Sequence, residues 1–489
     1  MQINKVGEQK LFKLFGHFSL ILLVAGSSLH AQSFEDFKRM QNSSFSKYRD
    51  SRDAAFNNYL KAEWEEYSAK NSKPLYEKEK PKSITPTIEK KVKSLGPKVN
   101  IKIAKKVEER VVVKKLPQAK EVLDNKDIYI HFFGQKLGFN IDYAFKTARF
   151  YPQTQAGIAN YFDIMASSNY EDTLREIRTY AKELALNDWG TYLLVKSLSE
   201  VLYSNLDEQK LFSWFFLNKL GYEVKIGIGS KHVVLMHYSK KIIYSTPSFT
   251  FGKKKFYVIS NYAKGSVGRV YTYKQSYPDA SKDLDLSLKR LPAFQPDLQK
   301  KSLSFKQLGQ EFHTSYQYDK NLIDFMATYP QADYETYFNA PMSSRTYKSI
   351  AEDLKKKIDG KSSSVAINFV LNFVQKAFGY ERDQQQFGRE KVMFSDETLY
   401  YNKSDCEDRA ILFSYLVKEL FGISVIGVKY KDHMATALYI PMKGDSVRAG
   451  RRKFVIADPT YINANIGQSM PKYKSKIPES YIIVKSDKR

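Results

Sequence analysis

The sequence has a single cysteine, Cys406, in 489 residues. One cysteine cannot form an internal disulfide, so the fold depends on its packed cores. The sequence also lacks a zinc-ligand cluster and a glycine-rich phosphate loop, which argues against zinc-finger and P-loop proteins. Aromatic residues are abundant instead: 35 tyrosines and 32 phenylalanines are available to fill the cores.

Acidic residues are too few to balance the basic ones. The 78 lysine and arginine residues exceed the 53 aspartate and glutamate residues, and the formal net charge is +25. This excess favours an anionic envelope surface of lipid head groups or acidic polymers as a partner, and the alternative is general solubility. Nucleic acid is not expected as a partner, because no nucleic-acid-binding motif is present and the chain is predicted to be exported.

No apolar run after residue 31 is long enough for a transmembrane segment. Residues 1–31 are typical of a secretory signal peptide, with lysines before a short apolar stretch at 18–25 and Ala31 at the predicted cleavage site. No cysteine follows that site, which argues against a lipoprotein anchor. We therefore expect an exported protein, periplasmic or secreted, without a membrane anchor.

Two N-terminal segments differ in composition from the rest. In residues 32–70, aromatic pairs such as Phe34 and Phe37 recur at an eleven-residue interval, which predicts a long helix with one aromatic stripe. That stripe either supports self-association, as in a coiled coil, or folds back on its own chain. Residues 71–120 are rich in lysine and proline, which predicts an extended, self-repelling linker with a short strand at 111–113.

The remainder is predicted to be α+β, with two related globular regions at 125–260 and 346–489. Each has helices followed by strands, and a β-rich connection is predicted at 261–345, with a helix near 305–312. The regions align at these pairs: Leu211 with Leu412, Gly221 with Gly422, His232 with His433, Asn205 with Cys406 and, across a shorter loop, Thr246 with Asp458. We predict a duplication in which the first region is degenerate and has lost its nucleophile.

Three residues of the second region have the order of a cysteine–histidine–acid site. Cys406 opens a predicted helix, where unpaired backbone N–H groups lower a thiol pKa and can bind an oxyanion. His433 opens a strand-like segment and is the last histidine of the chain, and Asp458 closes a later strand, where an acid can orient the imidazole. The pattern predicts a cysteine-dependent acyl-transfer site.

Acidic residues flank the cysteine. The negative charges of Glu407 and Asp408 raise the thiol pKa unless Arg409 or a bound cation offsets them, or unless their side chains point away from the sulfur. The helix start therefore lowers the pKa of the Cys406 thiol, whereas these acids raise it.

Residues 350–465 resemble the transglutaminase-like superfamily, whose fold is related to papain-like cysteine peptidases. The resemblance rests on Asp405-Cys406-Glu407-Asp408-Arg409-Ala410, Leu420-Phe421-Gly422-Ile423, His433 and Asp458-Pro459-Thr460. It implies a nucleophile helix packed on an antiparallel sheet and a protein or peptide substrate. It also implies Cys406 as the nucleophile, His433 as general base and acid, and Asp458 as the orienting residue. Ser404 departs from the glycine often found at that position.

The acidic run is also similar to that of exported bacterial transglutaminase-like cysteine peptidases, in some of which acids beside the cysteine hold calcium. By that resemblance Asp405, Glu407 and Asp408 are candidate calcium ligands, whereas the alternative is that they are solvated residues of the first helical turn. No cofactor is otherwise required. The side chain completing an oxyanion hole stays open among Gln384, Gln385, Gln386, Tyr400 and Tyr401.

The sequence supports two functions. The first is an exported cysteine enzyme that attacks an amide. Peptide or isopeptide hydrolysis is favoured over transamidation, because amines must compete with water and no amine pocket is recognisable. The second is a non-catalytic envelope binding or assembly protein with a transglutaminase-like fold. The second function predicts an unreactive, buried Cys406.

Overall fold

The computed structural model describes residues 34–62, 64–103, 125–259 and 267–485, with side chains described from residue 46 onward. The predicted signal peptide and the predicted strand at 111–113 lie outside these residues. The chain divides into two compact units, residues 1–51 and 52–489. Within the described ranges, no helix combines the length and the apolar character needed to cross a membrane.

The N-terminal helix is shorter than predicted. Helix α1 spans Phe34–Leu60, and strands β1 (Glu65–Ser68) and β2 (Lys70–Asn71) follow it. From Arg52 onward the helix packs into the core of its own unit, where Phe56 and Leu60 are buried. Tyr67, expected on the helical stripe, lies in β1 instead. For this end of the helix, the structure favours folding back on the same chain; self-association of 32–70 stays a prediction.

The first globular region combines five helices with an antiparallel sheet and a separate two-stranded hairpin. Its helices are α2 (Tyr143–Thr147), α3 (Gln155–Ser167), α4 (Tyr170–Glu183), α5 (Asp188–Leu202) and α6 (Leu206–Lys219). Its strands are the hairpin β3 (Ile128–Phe132) and β4 (Gln135–Phe139), then β5 (Val224–Gly229), β6 (His232–Tyr238), β7 (Pro247–Phe251), β8 (Lys254–Val258) and β9 (Arg269–Thr272). Helix α6 is central because its run from Leu211 to Leu217 is buried on all sides. Residues 241–245, whose sequence is strand-like, form bends and turns rather than a strand.

A long hairpin replaces the helix predicted near 305–312. Strands β10 (Leu298–Gln307) and β11 (Gln310–Asp319) pair along their full length. Leu308 and Gly309 connect them, both with positive φ, as a two-residue hairpin turn requires. Leu303 and Phe305 are buried between exposed neighbours, which is the two-residue period of a strand. Helices α7 (Lys320–Ala327) and α8 (Tyr334–Phe338) complete this connection.

The second globular region carries the cysteine helix. Its helices are α9 (Ser344–Ile358), α10 (Ser363–Lys376), α11 (Asp383–Gln386), α12 (Ser395–Tyr400) and α13 (Cys406–Phe421). Its strands are the short parallel pair β12 (Gly379–Tyr380) and β13 (Lys403–Ser404), then β14 (Val425–Lys429), β15 (Met434–Leu438), β16 (Ser446–Ala449), β17 (Arg452–Ala457) and β18 (Ser480–Ile483). The α+β class with antiparallel sheets is confirmed.

The two regions have the same strand order. The first sheet runs β1-β9-β5-β6-β8-β7-β2, and the second runs β16-β17-β15-β14-β18. Without the edge strands β1 and β2, the first sheet reads β9-β5-β6-β8-β7. The second sheet, read from its other edge, is β18-β14-β15-β17-β16, so the five strands correspond one to one. Each set follows a helix that ends at a glycine with positive φ, Gly221 or Gly422, a backbone conformation that glycine adopts without strain.

Strand register corrects one pair of the predicted alignment. Ile259 N donates to Leu235 O in the first sheet, and Ala457 pairs with Thr436 in the second. The counterpart of Asp458 is therefore residue 260, just outside the described range, and the pairing with Thr246 is wrong. Thr246 instead precedes β7, the counterpart of β16, and so lies before the hairpin that separates the histidine strand from the acid position in both regions.

The predicted linker is extended but is not a free spacer. We call its first part, residues 72–90, the strap; it has neither helix nor strand. Leu75, Tyr76 and Lys80 of the strap are nevertheless buried. Burial of a lysine requires a compensating negative site, so the position of the strap depends on the second region.

Candidate active site

Helix α13 holds Cys406 at its first position and is fixed there by Arg409. The buried guanidinium donates hydrogen bonds to Gln375 O at 3.1 Å, Phe378 O at 2.8 Å and Ser404 Oγ at 3.1 Å. The first two acceptors lie at or just beyond the carboxyl end of α10, where helix carbonyls attract a cation. Arg409 is therefore engaged with carbonyl groups rather than with the acids beside Cys406.

The predicted histidine–acid pair is formed. His433 Nε2 lies 2.8 Å from Asp458 Oδ2, and both residues are buried. The other Asp458 oxygen accepts from Thr460 N at 2.9 Å, and Gln375 Nε2 donates to Asp458 O. The Tyr473 ring stacks on the imidazole at 4.7 Å. These contacts fix the ring, and an ionised Asp458 selects the tautomer in which Nε2 donates to it, so that in a neutral imidazole the free lone pair is on Nδ1.

Nδ1 of His433 has no hydrogen-bond partner. Cys406 Sγ instead donates to Glu407 Oε2 at 3.1 Å and lies 3.6 Å from the Tyr76 hydroxyl. The structure thus joins His433 with Asp458, and it places Cys406 beside acids and the strap without a hydrogen bond to His433. The thiol is fully buried.

The thiol pKa is opposite to the prediction from the helix start. Burial raises the pKa of Cys406 well above its usual range, and the charges of Glu407 and Asp405 add to this effect. Lys80 opposes the rise without cancelling it. In this conformation the thiol is therefore protonated and weakly nucleophilic, because desolvation and adjacent carboxylates outweigh the helix dipole.

Lys80 is the cation that offsets the acids. Its Nζ lies 2.6 Å from Asp405 Oδ2, 2.9 Å from Glu407 Oε1, 2.9 Å from Glu390 Oε2 and 3.0 Å from Asp383 Oδ2. We call these four carboxylates the acid pocket. Despite burial, the Lys80 charge and hydrogen bonds lower the pKa of Glu407 to about 2. Burial raises the pKa of Asp383 and of Asp405 well above the usual range, so Glu407 is the ionised partner.

The three predicted calcium ligands do not surround one point as a set. Asp405 and Glu407 face Lys80, whereas Asp408 accepts from Met393 N at 2.8 Å and Asp405 N at 3.2 Å. Oxygen atoms of Asp383, Asp405 and Asp408 approach closely enough for a shared ion, and carboxylates suit calcium. The Lys80 ammonium nevertheless occupies the acid pocket, so these residues do not fit a metal ion with the strap in place. The solvated alternative is wrong, because all three acids are buried.

Tyr76, Lys80, Asp383 and Glu390 were missed in the sequence. Lys80 resembles its neighbours Lys78 and Lys82, which are exposed, and no local pattern distinguishes it. Among the oxyanion candidates, Gln384 donates to Gly388 O and Gln386 to Lys403 O, while Tyr400 and Tyr401 contact each other. The described side chains that hydrogen-bond Cys406 are Glu407 and Tyr76, so none of those candidates reaches the thiol.

The corresponding position of the first region has no thiol. Asn205 caps α6 by accepting from Asp207 N at 2.8 Å. His232 lies 3.1 Å from Asp207, and its side chain is 76% exposed. A cavity of about 320 Å³ opens here, lined by residues that include Leu206, Lys210 and His232. The first region therefore leaves open the place that the strap covers in the second.

Comparison with known proteins does not identify a family. The chain matches no protein-family model, no curated protein and no solved structure at a significant level.

Proposed function

We propose that the protein is a cysteine-dependent acyl-transfer enzyme that hydrolyses a peptide or isopeptide bond, with a transglutaminase-like core. The observation that carries the proposal is the buried His433–Asp458 hydrogen bond of 2.8 Å, which leaves His433 Nδ1 without a partner. A buried base with an unused lone pair is costly unless it serves a reaction. Export, as residues 1–31 suggest, belongs to the same proposal.

The reaction follows from these groups. His433 Nδ1 takes the proton of the Cys406 thiol, and the thiolate attacks the amide carbonyl carbon to form a C–S bond. The imidazolium, held by Asp458, then gives that proton to the nitrogen as the C–N bond breaks and the amine leaves. Water, activated by the same imidazole, attacks the thioester and restores the thiol while releasing a carboxylic acid. In the covered conformation the thiol proton faces Glu407 and the Tyr76 hydroxyl lies 3.6 Å from the sulfur, so the strap must move before the first step.

A second candidate is the non-catalytic binding or assembly protein. One observation favours it: Cys406 is buried, hydrogen-bonded to Glu407 and shifted to a high pKa, as that function predicts. The buried histidine–acid pair favours the enzyme, because a binding protein gains nothing from a fixed imidazole beneath a closed surface.

Turnover of a peptide library distinguishes the two candidates. We expect new amino termini, detected by mass spectrometry, from the chain and more of them from Tyr76→Ala, which loosens the strap over Cys406. Cys406→Ala and His433→Ala should abolish them in both backgrounds. His232→Ala is the matched control, since it changes the corresponding histidine of the first region and should retain full turnover. Absence of cysteine-dependent cleavage in both backgrounds, with the proteins folded, would contradict the enzyme.

A further inference from the structure

The strap crosses the loops that carry the candidate triad. Lys78 N donates to Lys431 O at 3.1 Å, two residues before His433, and Thr87 N donates to Ile462 O at 3.0 Å, beyond Asp458. Between these points Pro81 O accepts from Tyr380 Oη at 2.7 Å. An extended chain held by its backbone across a catalytic cleft occupies the course that a bound peptide would take.

The group of the strap that contacts the thiol is not a carbonyl. Tyr76 places its phenol hydroxyl 3.6 Å from Cys406 Sγ and donates to Glu407 Oε2 at 3.0 Å. A phenol offers no carbon for thiolate attack, so this contact covers the nucleophile without presenting a bond to cleave. The strap therefore has the position of a peptide substrate without its reactive group.

The acid pocket has more acceptors than one lysine uses. Lys80 fills it, yet Asp383 Oδ1 has no hydrogen-bond partner, although the residue is buried. A single structural ion pair needs one carboxylate, whereas four converge here on one ammonium. A buried pocket with this many oxygen acceptors is suited to bind an ammonium group, whose N–H donors all need acceptors.

We propose that the acid pocket recognises the cationic side chain of a lysine-bearing peptide substrate, and that Lys80 occupies it as an internal pseudosubstrate. The proposal rests on the function proposed above and names the substrate class of the same site. Glu407 links the two parts directly, because one of its oxygens contacts Lys80 and the other contacts Cys406. A bound lysine side chain would thus lie next to the acyl group under attack.

The same electrostatics decide between a substrate side chain and an acceptor amine. Although burial opposes ionisation, the surrounding carboxylates raise the pKa of Lys80 well above its usual range. An amine held in this pocket stays protonated and has no lone pair with which to attack a thioester. The acid pocket is therefore suited to recognise a cation and unsuited to activate an amine, which agrees with hydrolysis rather than transamidation.

Protection of Cys406 from iodoacetamide tests the acid pocket without requiring turnover. In the full chain, alkylation should be slow and should accelerate only above the ordinary thiol range of pH. Lys80→Met should alkylate at least about tenfold faster at neutral pH, because the strap loses its anchor. Lys78→Met is the matched control, with the same substitution two residues away at an exposed position, and should behave as the parent chain.

The decisive comparison measures alkylation of Lys80→Met in the presence of two amino acids whose amino and carboxyl groups are blocked and uncharged. Nα-acetyl-lysine methylamide should slow alkylation saturably, whereas the norleucine analogue, which lacks only the charge, should not. Equal protection by both probes, or protection by neither, would overturn the proposal. If Lys80→Met does not fold, Lys80→Ala is to be titrated with n-propylammonium chloride. A rise in its melting temperature that sodium chloride and propanol do not produce supports ammonium recognition, and no such rise overturns it.

The two proposals fail separately. Selective protection by the lysine probe with no peptide cleavage anywhere would retain the pocket and refute the enzyme. Cysteine-dependent cleavage with no preference for lysine near the cleaved bond would retain the enzyme and refute the pocket.

Discussion

The two globular regions share a strand order and a helix that ends at glycine, yet the two helices differ in the residue that caps their start and in the burial of the neighbouring acids. In the first region Asn205 satisfies the helix start with its own side chain, and Asp207 pairs with the partly exposed residues Lys210 and His232. In the second region Asp405 is the cap residue, Cys406 is the first residue of the helix, and the acids around the thiol are buried.

This difference concerns how the charges of the acids beside Cys406 are compensated. The residue that caps the helix beside the thiol is itself an acid, Asp405, and desolvated acids need a cation. The second region does not supply that cation from within its own fold. Lys80 comes instead from a distant segment, so the site is complete only when the strap is bound. The three experiments below test this contrast, from the largest expected effect to the smallest.

Removing the imported cation should be the most damaging change. Lys80→Met leaves the buried acid pocket uncompensated, and we expect a loss of about 3–5 kcal/mol in the free energy of unfolding, measured in urea. In the first region, Lys210→Met removes the partly exposed partner of Asp207 and should cost less than about 1 kcal/mol. Similar losses for the two variants would show that the acid pocket is not the special feature of the second region.

The two corresponding histidines should differ next. His433→Ala leaves Asp458 buried without its imidazole, for an expected loss of about 2 kcal/mol. His232→Ala affects an exposed side chain and should stay within about 0.5 kcal/mol of the parent. Thermal unfolding of the two variants side by side provides the measurement. If His433→Ala unfolds at the same temperature as the parent, the histidine–acid pair does not contribute to stability.

The cap of the first region should give the smallest effect. Asn205→Ala leaves the first N–H groups of α6 without an acceptor and should cost about 1 kcal/mol. Asn205→Asp retains an oxygen acceptor and serves as the control, with little expected change. If the aspartate variant is as unstable as the alanine variant, the capping role assigned to Asn205 is incorrect. Urea unfolding of both variants, at equal protein concentration, makes the comparison.

The sequence predicted those parts whose signal is local. The sequence predicted a helix that begins at Cys406, and residue order identified His433 and Asp458, which the structure brings together. The hairpin of β10 and β11 was not predicted, because the segment near 305–312 contains the turn and the two-residue period breaks off there. That segment was predicted to be a helix instead. The alignment of Thr246 with Asp458 is wrong because it assumes a shorter loop in the first region, whereas both regions have a hairpin between the histidine strand and the acid position.

The contacts that cover Cys406 could not be predicted, because they join residues more than 300 positions apart. Tyr76 and Glu407 are separated by 331 positions and Lys80 and Glu407 by 327. A lysine among many lysines carries no sign of burial, and its pairing depends on the free energy of the whole fold. The sign of the Cys406 pKa shift followed from that pairing and from desolvation, neither of which the helix start alone reveals.

The strap is also fixed at its other end. Lys70 and Asn71 pair with Ser248 and Pro247 in the first sheet, only five residues before Tyr76 reaches the thiol. So short a tether presents Tyr76 and Lys80 at an effective concentration on the order of millimolar or higher, whatever their intrinsic affinity. A free peptide must compete with that local concentration rather than with a dissociable inhibitor. A single backbone cut between Asn71 and Tyr76 would remove this short tether and lower the effective concentration, while the strap would stay covalently joined to the chain beyond residue 90.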